Sequence, residues 1–229
     1  MRLLAVDTAG ETGNVLLARL EAGAIEVLGE QFLEPRKFST QMISSIAELL
    51  DANRLQLSDL DALAAISGPG SFTGLRVGLS ALKAMAEATG KPVIAVSRLA
   101  TMASAAGLPA GQTVHAVLDA GRGEFYHGIY RDAGRTCIAE SLASAGELLE
   151  SVAGVPGPVV AWEPTVLSAL RVAIPSPSPV EIPPVTARGA LPLILAAWET
   201  GDFSDVAALD ANYLRRVHAE PAAGTPILT

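Results

Sequence analysis

The chain predicts a mixed α/β fold of two related subdomains, the second reduced. Three features of the sequence lead there. Three strand-like segments precede the first helical pattern, which a doubly wound dinucleotide fold, alternating from its first strand, does not do. A strand, a glycine-rich turn and a long apolar helix then follow one another between residues 60 and 87. After residues 107–111 the opening pattern returns in degenerate form: Val6-Asp7 and Leu118-Asp119 each end an apolar run and lead through small residues into a second strand.

Residues 2–8, 14–20 and 25–33 read as strands, separated by turns at 10–13 and 21–24. A helix is expected over 39–51, with Met42, Ile43, Ile46, Leu49 and Leu50 as its apolar positions. Residues 62–67 form a buried strand, 71–87 the second helix, 92–96 a strand and 98–106 a short helix. In the second half, strands are expected at 113–119, 124–131 and 135–140, and a helix at 143–152. The prolines between Ile174 and Pro184 predict an extended connector without regular structure. Residues 187–200 are helical despite Pro192, and 219–229 are expected to be a loose tail. The division is therefore 1–106 for a first, partner-binding subdomain and 107–229 for the second.

Composition bounds the function. Half of the 229 residues are hydrophobic, enough for a sizeable core in one large or two small domains. No apolar run approaches the ~20 residues of a membrane span. The first residues, through Asp7, read as a strand and not as a signal peptide. Cys137 is the one cysteine, so neither an internal disulfide nor a cysteine metal cluster can form. These features point to the cytoplasm. The formal net charge is −8 and the basic residues are scattered, with Arg215-Arg216 near His218 as the densest group. Strong nucleic-acid binders present a basic face, so this chain alone is expected to bind tRNA or DNA poorly.

The run Gly68-Pro69-Gly70-Ser71-Phe72-Thr73-Gly74-Leu75-Arg76 is the most specific motif. Gly68, Pro69 and Gly70 make a tight turn and Ser71 is placed to cap the helix. Such a turn exposes backbone N–H groups to an anion, and it is equally how a buried helix starts. Gly74, Gly78, Ala81 and Ala88 lie along one side of that helix, and Leu75, Leu79 and Leu82 along another. Glycine in a helix interior costs about 0.5–1 kcal/mol relative to alanine, so two of them one turn apart predict the close approach of another backbone. We expect a partner surface on the two helices, with Met42, Ile46, Gly74, Leu75, Gly78, Leu79 and Leu82 as its residues.

Val6-Asp7-Thr8, Pro35-Arg36, the glycine-centred run, Asp119-Ala120 with Gly123-Glu124 and Tyr126, and Tyr213-Leu214-Arg215 occur in that order. Together they resemble the TsaB (YeaZ) family of bacterial tRNA threonylcarbamoyladenosine biosynthesis proteins, strongly over residues 1–130 and weakly beyond. The resemblance implies an actin-like/ribonuclease H-like ATPase fold. It also implies a role in adding a threonylcarbamoyl group to the adenosine beside the anticodon (t6A). In that family the transferase chemistry belongs to a larger paralogue, TsaD, which carries a His-x-x-x-His metal pair. Here His115, His127 and His218 lack that spacing. The resemblance thus implies a non-catalytic partner that stabilises TsaD and helps recruit the small ATPase TsaE, with a homodimer as the association open to the isolated chain. Phe38 stands where many relatives place a histidine, and Gly121 where an arginine often stands.

Other residues carry weaker signals. Asp7 and Thr8 lie where active ATPases of this fold hold metal and phosphate, and a strand-end turn explains them as well. Asp119 could face Asp7 across a cleft as a second carboxylate, or be a terminus repeated by duplication. Arg76 and Lys83 read as solvated or partner-facing charges, His115 as structural, Cys137 as a small core or inert residue, and Phe125, Tyr126 and Tyr130 as packing residues. No catalytic residue, metal site or cofactor is expected. The competing function is an active ATP-dependent kinase or nucleotide hydrolase on the same fold. A glycoprotease lacks both a zinc-binding pair and a nucleophile–base motif.

Overall fold

In a computed structural model the chain is described over residues 1–21, 23–174 and 178–214. Two five-stranded sheets follow one plan. The first contains β1 (Arg2–Asp7), β2 (Gly13–Glu21), β3 (Ala24–Leu33), β4 (Ala62–Gly68) and β5 (Val93–Ser97), ordered β3-β2-β1-β4-β5. The second contains β6 (Val114–Gly121), β7 (Glu124–Arg131), β8 (Thr136–Ser144), β9 (Val159–Ala161) and β10 (Val180–Glu181), ordered β8-β7-β6-β9-β10. In each, the first three strands form an antiparallel meander and the last two join in parallel. The helices repeat too. α1 (Phe38–Ala52), α2 (Phe72–Thr89) and α3 (Arg98–Ala105) follow the third, fourth and fifth strands of the first half. α4 (Ala145–Gly154), α5 (Pro164–Ala173) and α6 (Ala187–Thr200) do so in the second. This is the expected actin-like/ribonuclease H-like plan. The second copy is reduced where β9 has three residues and β10 two.

The third helices are exchanged between the halves. α3 packs on β6, β7 and β9 of the second sheet as well as on β4 and β5, while α6 lies across β1, β2, β4 and β5 of the first and touches α3. Asn14 fixes α6 at its start: its Oδ1 accepts the Ala187 N–H at 3.1 Å, and its Nδ2 donates to Glu30 at 2.7 Å. The β1 and β4 strands, apolar on both faces, are covered on both sides, and Leu3, Leu4, Leu63 and Ala64 are fully buried.

The second half differs from expectation in one stretch. Residues 155–185 contain β9, α5 and β10, of which the sequence pattern predicted none; Pro164 sits in the first turn of α5, where its missing N–H has no helical partner to lose. β10 lies inside the expected connector, so the prolines there flank regular structure and do not exclude it. The expected tail at 219–229 lies outside the described residues, as do Arg215, Arg216 and His218.

Candidate functional site

A cleft of about 1160 Å³ opens between the halves. Its walls come from the ends of β1 and β6, the glycine motif, the start of α3 and the β9–α5 junction. Asp7, Arg98, Asp119, Tyr126, Trp162 and Glu163 line it.

Asp7 is 3% exposed, and its Oδ1 accepts the Ala9 N–H at 2.8 Å, the local turn that its residue type favours. Burial pushes its carboxyl above the ordinary range, against the pull of the Arg98 guanidinium. Asp119, by contrast, is exposed and its Oδ1 accepts the Gly121 N–H at 2.6 Å. Its own N–H donates to Glu163 Oε2 at 2.7 Å. Burial raises the Glu163 carboxyl as well, while the Asp119 N–H and Arg98 oppose the rise. Asp7 and Asp119 thus line one cleft. Among the described residues, no group of three histidine, cysteine or carboxylate side chains is arranged to hold a metal ion.

The glycine motif is built around the chain's own β1–β2 turn. Gly68 has φ +109°. The Ser71 N–H donates to the Ala9 carbonyl at 2.8 Å, and a Cβ on Gly70 would lie 2.1 Å from that same oxygen. Ser71 caps α2 as expected, its Oγ accepting the Gly74 N–H at 3.2 Å. A Cβ on Gly74 would lie 2.1 Å from the Thr8 carbonyl oxygen, and one on Gly78 2.3 Å from Thr8 Oγ1. The predicted close approach is therefore real, but its neighbour is Thr8. Phe38 fills the room beside Gly13 and Gly74.

This corrects the expected partner residues. Met42, Ile46, Gly74, Leu75, Gly78, Leu79 and Leu82 are all buried within the chain. Their apolar stripes cover the first sheet, which needs that area for its own core. The other faces of the same helices are open: Ile43 on α1 is 55% exposed, and Ser80 and Ala84 on α2 are exposed beside half-buried Val77 and Ala81.

Several side chains carry roles that the sequence did not disclose. Arg76 and Lys83 hold a strap formed by residues 202–214. Lys83 Nζ donates to the carbonyls of Ala207 and Leu209 at 3.3 and 3.0 Å. Arg76 Nε donates to Tyr213 Oη at 3.2 Å, and its guanidinium lies 3.7 Å from the centroid of the Phe72 ring, which itself packs on Tyr213. The two motifs 72–76 and 213–214 therefore meet in space, a contact that no local pattern reveals. The strap also bridges Ser204 to Val93 on the edge strand β5. Its Asn212 joins a carboxylate cluster in which Glu140 accepts hydrogen bonds from Tyr130, Ser97 and Asn212.

Cys137 is exposed, not a core residue, and burial followed by the charge of Glu140 raises its thiol pKa, which disfavours reactivity. His115 is structural as expected: its Nδ1 lies 2.9 Å from His127 Nε2, and its Nε2 lies 2.7 Å from the Val155 carbonyl. Tyr130 is buried and Phe125 partly so, as packing residues should be, whereas Tyr126 lines the cleft.

A model of the tRNA N6-adenosine threonylcarbamoyltransferase family, TsaD, matches residues 28–187. The tRNA threonylcarbamoyladenosine biosynthesis protein TsaB of Escherichia coli (strain K12) is 38% identical over 132 residues, which cover 57% of this chain and 55% of that protein. The chain thus spans about half the length of that curated relative. An uncharacterized protein of Mycobacterium tuberculosis (strain ATCC 25618 / H37Rv) is 32% identical over 223 residues, 96% of this chain and 95% of the other. The solved structure of YeaZ from Pseudomonas aeruginosa superposes with a TM-score of 0.70 at 28% identity, covering 93% of this chain and 99% of that one. With the family match spanning well over half its length and the duplicated fold in place, this chain belongs to the threonylcarbamoyltransferase family, in its TsaB/YeaZ branch.

Proposed function

We propose that the chain is the non-catalytic partner subunit of the t6A modification machinery. It stabilises a TsaD-type transferase, helps recruit the ATPase TsaE, and works in the cytoplasm. The relationship to TsaB proteins and to the TsaD family supports this reading. The observation that carries the partner role is the pair of helices α1 and α2. One face of each is committed to the first sheet, while the other presents Ile43, Val77, Ser80, Ala81 and Ala84. Small side chains let a second helix approach closely, and burying one side chain the size of Ile43 contributes roughly 1.5–3 kcal/mol. A few such contacts suffice for a stable complex. Without a transferase present, the same face is available to a second copy of the chain.

The test is reconstitution. Mixing the chain with its TsaD-type paralogue and TsaE, with and without ATP, should give a heteromeric complex by light scattering, and t6A formation should depend on this chain. The chain alone should bind tRNA no tighter than the roughly 10⁻⁴–10⁻⁶ M of non-specific complexes. The alternative, an active ATP-dependent kinase or nucleotide hydrolase, draws on the two strand-end aspartates Asp7 and Asp119 that line one cleft. ATP turnover above about 1 s⁻¹ by the pure chain, within the ordinary enzyme range, would favour it over the partner reading.

A further inference from the structure

The cleft floor contains a donor without an acceptor. Arg98 opens α3 and lines the cleft, and its Nε is buried with no hydrogen-bond partner among the described residues. A buried polar hydrogen left unpaired costs about 1–3 kcal/mol, and more on a charged group. The one contact that the guanidinium makes to the backbone is long, Nη1 to the Ala9 carbonyl at 3.4 Å, and it forms no ion pair among the described residues. Its plane is backed by Trp162, with the guanidinium carbon 5.0 Å from the ring centroid. At Gly10 a Cβ would lie 3.0 Å from Nη2, so glycine there leaves the guanidinium its room.

We propose that the cleft floor receives a small molecule with one oxyanion head, a carboxylate or a phosphate monoester. Arg98 holds the head through its Nε–H, and Trp162 lies against the guanidinium as an apolar wall. The charge balance sets the size of the head. The lining carries Asp7, Glu11, Asp119 and Glu163 against Arg36 and Arg98, an excess of acid that repels a polyphosphate but tolerates one compensated anion. The cavity of about 1160 Å³ leaves space for the body of the ligand beyond its head. This assignment is independent of the partner-subunit reading and needs no second protein.

The experiment titrates sodium acetate, inorganic phosphate and Mg-ATP separately into the full-length chain carrying Trp198→Phe, which leaves Trp162 as the one tryptophan emitter. Two signals are followed: Trp162 fluorescence and the NMR resonance of the Arg98 Nε–H. Acetate or phosphate should move both saturably, and the more effective of the two names the head. Arg98→Lys keeps the charge but removes the Nε–H, and should weaken binding by about tenfold or more at an unchanged melting temperature. Absence of a saturable shift at Arg98 with either anion overturns the proposal, and so does equal affinity in Arg98→Lys. Tighter binding of Mg-ATP than of either anion also overturns it, by showing a polyphosphate site. The resonance in the unmutated Arg98 decides the matter even if Arg98→Lys fails to fold.

Discussion

Gly78→Ala tests the central packing claim, that α2 is drawn against Thr8. Thr8 is 2% exposed, and an added methyl at position 78 would lie 2.3 Å from its Oγ1 and 3.4 Å from its Cβ and Cγ2. Two of the three threonine rotamers set Oγ1 or Cγ2 against position 78, and the third must move both heavy atoms within a closed interior, so a rotamer change relieves the contact only at a cost. Overpacking of this kind costs about 1–3 kcal/mol, and the better helix propensity of alanine returns about 0.5–1 kcal/mol. The net loss is therefore about 0.5–2.5 kcal/mol, and at about 2–4 °C per kcal/mol for a chain of this length the melting temperature should drop by several degrees. Gly74→Ala should sit at the upper end, because its obstacle is the Thr8 backbone oxygen at 2.1 Å, about 1 Å inside the 3.0 Å floor for such contacts. The decisive measurement is urea unfolding of Gly78→Ala in a Thr8→Ala background. There both Oγ1 and Cγ2 are gone, so the same substitution should become neutral or stabilising, a coupling within the usual 0.5–3 kcal/mol for contacting residues. Equal destabilisation in both backgrounds would refute the reasoning. A Gly78→Ala chain with unchanged stability but lost transferase binding would return the glycine stripe to the partner surface.

On that surface, Ile43→Asp should leave the unfolding free energy within about 0.5 kcal/mol of the parent and reduce the mass of the complex with the transferase in light scattering, since the side chain is exposed in the free chain. Burial and the neighbouring His115 hold His127 down to about 4, so the unfolded chain binds a proton that the folded one refuses as pH falls from about 6.5. Stability should therefore decline over that window by up to about 1.4 kcal/mol per pH unit, and the slope should flatten in His127→Gln; Asp7 and Glu163, raised by burial, act in the opposite sense in both proteins and cancel in the difference. Glu140→Ala strands the Tyr130 hydroxyl, the Ser97 hydroxyl and the Asn212 amide, and should cost more than about 2 kcal/mol in urea unfolding, with Glu140→Gln milder because it keeps one acceptor oxygen.

The sequence pattern was most legible where periodicity and turn chemistry agree. The first three strands, α1, α2 with its Ser71 cap and the repeated strand–aspartate units follow from alternation, glycine turns and apolar spacing. It was blind where an element is too short to have a period. β9 and β10 have three and two residues and exist because the sheet beside them supplies partners, with Val159 opposite His115 and Val180 opposite Val160. The partner residues were misplaced for a related reason. Periodicity identifies an apolar face on α2, but a sheet of the same chain and a foreign helix make the same demand on it, and here the sheet takes Leu75, Leu79 and Leu82. The long-range contacts of Arg76 with Tyr213 and of Lys83 with the strap have no local signature at all.

The halves match strand for strand, yet their equivalent aspartates end in opposite environments, and the helices that follow explain why. α2 has glycines at positions 74 and 78, which bring its backbone onto Thr8 and seal Asp7 beneath the β1–β2 turn. α5 has none within Pro164–Ala173 and begins Pro164-Thr165-Val166-Leu167. Instead the residue before α5, Glu163, reaches back to accept the Asp119 N–H, and Asp119 stays at the open rim of the cleft. One copy of the duplicated unit has thus become a closed, tightly packed body whose outward helix faces are free. The other has stayed open and supplies Asp119, Tyr126, Trp162 and Glu163 to the cleft wall. Placing alanine at positions 74 and 78 should therefore move the first half toward the second: α2 lifts, Asp7 gains solvent, and its carboxyl pKa falls back toward the ordinary value, a change that NMR titration of the Asp7 side chain can follow. If the double variant folds with Asp7 still raised, the glycines are not what seals it, and the asymmetry between the halves must arise from the β1–β2 turn itself.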